Sequence, residues 1–306
     1  MSVVAFAFGQ NVDFKAANFK NDKEGFKKAT EAIKKGDELF EAGNALVFEV
    51  KSPGMNYGLA LKEYQKAYDF NPDNGLLNFK MGVCHIYSSN RHKAINYIYE
   101  AHKLDPECDE FMDYYYGMAL QLDEKFDEAI KAFKRFKDNY KKSDEFGKFV
   151  SRHRNECIAA KKHYAEPIRA WVDNVPELNS EYNDHGPSIS VDGAEMIMTS
   201  DRPNGHNPDA LGEYDDDIYV TTLRDGKWQE LVPIESVNST TDDVSNNISY
   251  DGTKMLLHSV ESDKTDIYES TLKGATWSKP TKFPFQISSP KANEVYAAYS
   301  LSLIHI

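Results

Sequence analysis

Between residues 30 and 142 the chain repeats itself every 34 to 35 positions, and that period constrains its fold more than any other feature. Gly82 recurs as Gly117; Ala60 as Ala94 and Ala129; Tyr64 as Ile98 and Phe133; Ala67 as Ala101 and Phe136; Pro72 as Pro106. A period of this length accommodates one helix-turn-helix unit, which cannot cover its apolar face alone and must stack on its copies. The residue types fit that role. Glycine on one helix and alanine on the next let two backbones approach, the bulky residue four positions after each alanine fills the space one turn away, and proline ends the hairpin.

The spacing is that of the tetratricopeptide repeat. The first repeat departs from it. Its close-approach glycine is Gly36, and it reaches Ala60 only after an additional segment, NALVFEVKSPGMN, which should lengthen the first hairpin. The third repeat carries Lys141 in place of proline. Residues 144 to 164 then read as one further amphipathic helix through Phe146, Phe149, Val150, Cys157, Ile158 and Ala160, a cap for the last apolar face of the stack. Counted along the repeat, Phe79, Val83, Ile86, Tyr114, Met118 and Gln121 either line a concave groove that binds a peptide or partner helix, or pack against neighbouring parts of the protein. The basic run 131–142 (KAFKRFKDNYKK) interleaves aromatics at helical spacing, so the aromatics face inward and the bases face water.

From Trp171 the texture changes to short alternating runs separated by Asn, Asp, Gly and Pro, the pattern of strands and tight turns. A second repeat appears here. GPSISVDGAEMIMTSD (186–201) with DDDIYVTTLRDGKWQELVPI (215–234) is followed by NNISYDGTKMLLHSV (246–260) with DIYESTLKGATWSKPTKF (266–283). Trp228 and Trp277, like Asp217 and Asp266, are 49 positions apart, and NEVYAAYS (293–300) opens a third unit. A period near 50 with four short strands fits a propeller blade. Asp192-Gly193 and Asp251-Gly252 are expected to form two-residue hairpin turns. The first unit holds an extra loop, RPNGHNPDALGEYD.

The expected fold class is therefore α + β multidomain: a tetratricopeptide-repeat α-solenoid followed by an incomplete antiparallel β-propeller of about two blades plus a fragment. The expected divisions are a signal-peptide remnant at 1–9, the helical domain at 10–164, a linker at 165–180, the partial propeller at 181–300 and a non-native tail, LSLIHI, at 301–306. The remnant reading rests on the apolar run MSVVAFAFG, with small residues at Ala5 and Ala7. Charge is uneven: residues 165–306 hold 24 Asp+Glu against 10 Lys+Arg, which makes nucleic acid an unexpected partner. No apolar stretch is long enough to span a bilayer. Cys84, Cys108 and Cys157 stand singly, without metal-site spacing, although a Cys84–Cys108 bridge stays open.

No nucleophile elbow, phosphate loop, zinc-protease or EF-hand spacing is present, and Gly186-Pro187-Ser188-Ile189-Ser190 lacks the second glycine of an elbow. His185 and His206 could serve as base or ligand but read more simply as loop residues. Asp215, Asp216 and Asp217 could hold Ca²⁺, or could be turn-forming and solubilising aspartates. The expectation is a non-enzymatic chain with no cofactor and no metal.

The phrases NSEYNDHGPSISVDGAEMIMTSDRP, DDDIYVTTLRDGKWQ and DVSNNISYDGTKMLLHSV resemble the TolB-like (WD40-like) propeller repeats of Bacteroidetes envelope proteins. In that family a signal peptide, tetratricopeptide repeats, this propeller and an OmpA-like peptidoglycan-binding domain occur in that order, and the PorE-type component of the type IX secretion machinery has the most similar architecture. The resemblance implies a periplasmic, outer-membrane-associated scaffold that binds proteins or peptides, envelope or secretion components among them, and that reaches peptidoglycan only through a domain missing here. A propeller-gated hydrolase and a glycan-binding surface module are the alternatives, because a fold by itself does not settle function.

Overall fold

A computed structural model describes residues 10–48, 53–88, 90–142, 144–261 and 264–300; the expected signal remnant and the LSLIHI tail lie outside them. The chain divides into two compact units, Met1–Ala170 and Trp171–Ile306.

The first unit is helical: α1 (Lys23–Phe48), α2 (Gly54–Tyr68), α3 (Gly75–Ile86), α4 (Ala94–Leu104), α5 (Met112–Leu122), α6 (Phe126–Asn139) and α7 (Glu145–Ala165). Helices α1 and α2, α3 and α4, and α5 and α6 pack as successive tetratricopeptide-like hairpins, and α7 covers α6. The glycines explain how closely the helices approach. A Cβ at Gly36 would lie 2.4 Å from the Tyr64 ring, at Gly82 2.5 Å from Ile98, and at Gly117 2.6 Å from the Phe133 ring. The same repeat position thus meets the same partner position in all three hairpins. Tyr64, Ile98 and Phe133 are wholly buried, as are Ala60, Ala94 and Ala129 beside them.

The first hairpin is longer than the others, with 26 residues in α1 against 12 in α3 and 11 in α5. Its extra length repeats the same device, since a Cβ at Gly43 would fall 2.5 Å from the fully buried Tyr57 ring. Residues 49–52 of the additional segment lie outside the described residues. Helix starts are capped where the sequence supplies an acceptor: Asn74 accepts from the Leu77 amide at 2.9 Å, and Asp144 from that of Gly147 at 3.3 Å. On α7, Phe146, Val150 and Cys157 are buried, whereas Ile158 is half exposed, so the covering face is narrower than the sequence pattern suggests. The three cysteines carry free thiols, so Cys84 and Cys108 are not bridged.

The second unit holds two antiparallel sheets. The first contains β1 (Asp184–Ile189), β2 (Glu195–Ser200), β3 (Asp217–Arg224), β4 (Lys227–Trp228) and β5 (Val232–Pro233). The second contains β6 (Asp243–Ile248), β7 (Lys254–Glu261), β8 (Lys264–Lys273), β9 (Thr276–Trp277) and β10 (Thr281–Lys282). Each is a meander whose outer edge is split into two short strands on the third strand: β4 and β5 pair with β3, β9 and β10 with β8. Both sheets bulge at matching places on their first strand, between His185 and Ser188 and between Ser245 and Asn247.

The sheets share an apolar core in which Ile197 and Ile218 of the first meet Ile248, Met255, Leu257 and Trp277 of the second. Hydroxyls knit them together. Thr199 Oγ1 accepts from the Ser245 amide at 2.9 Å, Ser245 Oγ donates to the Gly186 carbonyl at 3.0 Å, and Ser188 Oγ accepts from the Ile248 amide at 3.1 Å.

The turns differ from expectation. Ser190 pairs with Glu195 across a four-residue loop in which Gly193 has φ +72° and Asp192 does not enter the left-handed region. Asp192 instead accepts from the Ser190 hydroxyl and the Ala194 amide, a local arrangement that stabilises a longer loop. Ser249, Asp251 and Thr253 repeat it. The two-residue hairpin with both φ values positive is Asp225-Gly226, joining β3 to β4. Residues 293–300 form no strand: the Glu294 amide donates to the Thr265 carbonyl of β8 and the Tyr299 amide to Asn247 Oδ1 of β6.

Candidate partner-binding sites

In the helical unit an irregular, turn-containing arm precedes α1 and is held at Asn11 and Val12 by backbone and side-chain groups. Val12 N–H donates to the Asp73 carbonyl at 2.7 Å, while Asn71 Nδ2 and Asn74 Nδ2 both donate to the Val12 carbonyl, at 2.8 and 3.1 Å. Asn11 Oδ1 accepts from the Gly75 amide at 2.9 Å. The turn between α2 and α3 thus satisfies both backbone polar groups of Val12 without reading its side chain.

Beside this arm lies a cleft of about 270 Å³, lined by Phe14 of the arm, Ile33 and Asp37 of α1, Leu76 and Lys80 of α3, and Cys108 after α4, among others. Lys80 Nζ bonds to Asp37 at 2.8 Å, and Tyr64 donates its hydroxyl to the same carboxylate at 2.8 Å, so a fixed charge pair sits in an otherwise mixed surface. Leu76 is 38% exposed there, a branched apolar side chain available for contact. Burial holds the Cys108 thiol in its neutral form, with a pKa pushed up to about 12, so it acts as an apolar wall and not as a nucleophile.

The six residues assigned to a groove or to packing are divided by the structure. Phe79, Val83, Ile86 and Tyr114 are buried in the core and offer no surface. Phe79 meets Tyr115 of the next hairpin at 5.7 Å between ring centres, and Tyr114 meets Phe146 of α7 at 5.2 Å. Met118 and Gln121 keep partial exposure, with Gln121 Nε2 donating to Glu156 at 3.2 Å. The α1–α3 cleft was missed because its lining comes from the start of α3, the lengthened α1 and the arm, none of which the repeat spacing singles out.

In the second unit an open cleft of about 720 Å³ is lined by Tyr182, Asp184, His185, Asp201, Tyr214, Asp216 and Asp242, among others. His185 Nε2 lies 3.2 Å from Asp216 Oδ1, which holds the imidazole pKa above its ordinary value. The serines of the elbow-like phrase are committed to structure: Ser188 to the neighbouring sheet, Ser190 to its own turn. The three consecutive aspartates do not act as one chelate. Asp215 bonds His206 at 2.9 Å, Asp216 faces His185, and Asp217 opens β3 with no exposed surface. Burial beside Asp215 raises the Asp217 carboxyl to about pKa 7. It is not a solubilising residue, because consecutive positions along an extended chain point in opposite directions.

No protein-family model matches the chain, and no curated protein matches it. Solved structures similar to part of it include the following three. The tetratricopeptide domain of Sgt2 from Aspergillus fumigatus is 17% identical, with a TM-score of 0.32, over 46% of this chain and 87% of that one. The Yersinia enterocolitica type III secretion chaperone SycD, in complex with a peptide of the translocator YopD, is 14% identical, with a TM-score of 0.30, over 41% and 93%. The MamA protein is 13% identical, with a TM-score of 0.25, over 48% and 99%.

Proposed function

We propose that the protein is a non-enzymatic interaction scaffold whose helical unit binds an extended peptide of a partner protein in the cleft between α1 and α3. The observation that carries this reading is the docked arm. The turn between α2 and α3 already holds the Val12 N–H and C=O through Asp73, Asn71 and Asn74, next to an apolar contact at Leu76 and a charged one at Lys80. Backbone capture beside side-chain pockets is how extended peptides are recognised. The antiparallel sheets are read as propeller blades and, on the resemblance to envelope proteins, the chain is read as periplasmic and associated with the outer membrane. Fractionation of the source cells tests the compartment, and recovery with cytosolic markers refutes it.

For the cleft, peptides selected by phage display on the full chain are measured by fluorescence anisotropy against the parent protein, Leu76→Glu and Ile158→Glu. Leu76→Glu is expected to weaken binding about tenfold or more, since a charge replaces a contacting apolar side chain. Ile158→Glu, on the outer face of α7, is expected to leave it unchanged. Equal affinity for the parent and Leu76→Glu refutes the assignment.

A further inference from the structure

The two sheets of the second unit treat one equivalent carboxylate in opposite ways. Asp217 on β3 and Asp266 on β8 both stand immediately before the Ile-Tyr pair of their strand, and both are buried, at 0% and 2% exposure. In the second sheet Lys282 of β10 reaches back and places its ammonium 2.5 Å from Asp266. Lys282 stands opposite Tyr268, and the residue opposite Tyr219 in the first sheet is Pro233. Asp217 therefore has no tethered cation, and both of its carboxylate oxygens are buried without a hydrogen-bond partner. An unpaired buried carboxylate is costly, and proteins neutralise such a group by protonation, pairing or metal coordination.

The long loop between β2 and β3, which has no counterpart in the second sheet, delivers His206 and Asp215 to this carboxylate. Donor atoms of His206, Asp215 and Asp217 all lie within 4.8 Å of one another. We infer that the three residues form a binding site for a divalent transition-metal ion of the Zn²⁺ class, which replaces in the first sheet the ammonium that Lys282 supplies in the second. An imidazole with two carboxylates suits Zn²⁺ better than Ca²⁺ or Mg²⁺, which favour oxygen ligands throughout. Zinc bonds of about 2.0–2.2 Å require donors roughly 3.3–3.6 Å apart, so the loop has to close by about 1 Å. His206 Nδ1 and Asp215 Oδ2 stand 2.9 Å apart, and binding displaces the proton between them.

The test uses the full chain, without an affinity tag and after treatment with a chelator, titrated with ZnCl₂ by calorimetry and by thermal melting. One Zn²⁺ per chain with a raised Tm is expected for the parent. His206→Gln is expected to weaken it by at least about 100-fold, since even outer-shell losses cost 10–100-fold. Pro233→Lys, which supplies the missing ammonium, is expected to abolish binding while melting without metal at or above the parent temperature. If Pro233→Lys fails to fold, His206→Gln decides the matter alone. Absence of Zn²⁺ binding by the parent, retention of it in His206→Gln, or equal stabilisation by CaCl₂ would each overturn the assignment.

Discussion

Replacing Gly117 by alanine places opposing effects at one atom. In an ordinary helix interior the change stabilises by about 1 kcal/mol through backbone entropy. Here the added Cβ would stand 2.6, 2.7 and 3.0 Å from three carbons of the Phe133 ring. Normal carbon–carbon contact is about 3.5–4.0 Å, so ring or helix has to move by about 1 Å. Phe133 has no free volume to move into: it is wholly buried, with His153 of α7 stacked on it at 5.6 Å and Tyr114 at 6.2 Å. Overpacking of this kind costs about 1–3 kcal/mol. Set against the helix gain, the net expectation is a loss of about 1 kcal/mol, read by urea unfolding followed at 222 nm on the full chain. A second variant, Gly117→Ala with Phe133→Leu, removes the overlap, so the pair should couple favourably by about 1 kcal/mol or more relative to the sum of the single changes. Were Gly117→Ala as stable as the parent, or the two changes additive, the close-approach explanation of the repeat would be wrong.

Two other expectations follow from buried charge. Burial holds the His85 imidazole, stacked on Tyr97, at a pKa of about 4, with the Lys93 and His92 charges adding to the effect. The unfolded chain takes up this proton below about pH 6.5 and the folded chain only below about 4, so the neutral-His contribution is present above 6.5 and is lost as pH falls between them. The loss should reach about 2 kcal/mol after allowance for partial exposure, and His85→Gln should flatten that part of the stability–pH curve; parallel curves refute the assignment. Lys282→Met strands the buried Asp266 carboxylate and should cost roughly 2–3 kcal/mol, below the usual cost of breaking a buried pair because the lysine is 44% exposed. Combining it with Asp266→Asn should recover most of that, both read by urea unfolding of the full chain.

The helical hairpins were legible because their constraints are short-range: Gly36, Gly82 and Gly117 each meet a residue fixed by the repeat register. The Gly43–Tyr57 contact obeys the same rule, yet it lies in the lengthened part of the first hairpin, where no copy exists for comparison. The groove assignment suffered from a different limit. A first helix shows one flank to the cleft and another to the next hairpin, and spacing alone does not say which flank holds Phe79 or Tyr114. In the sheets, alternation located β2, β3, β7 and β8, but the unequal fates of Asp217 and Asp266 depend on the residue across the strand pair, Pro233 or Lys282, which is visible only once the register is known.

The hydroxyls between the sheets also govern motion. Thr199 and Ser245 are buried, and together with Ser188 they meet backbone groups at single positions within a mostly apolar interface. Hydrocarbon surfaces can slide over one another through many nearly equivalent contacts, whereas these pegs allow one seating. Displacing one sheet by a residue would break three hydrogen bonds, the buried one between Thr199 and the Ser245 amide at about 1–3 kcal/mol and the part-buried two at less. The two sheets are therefore expected to turn as a single body, with a force applied at the rim of one delivered to its neighbour.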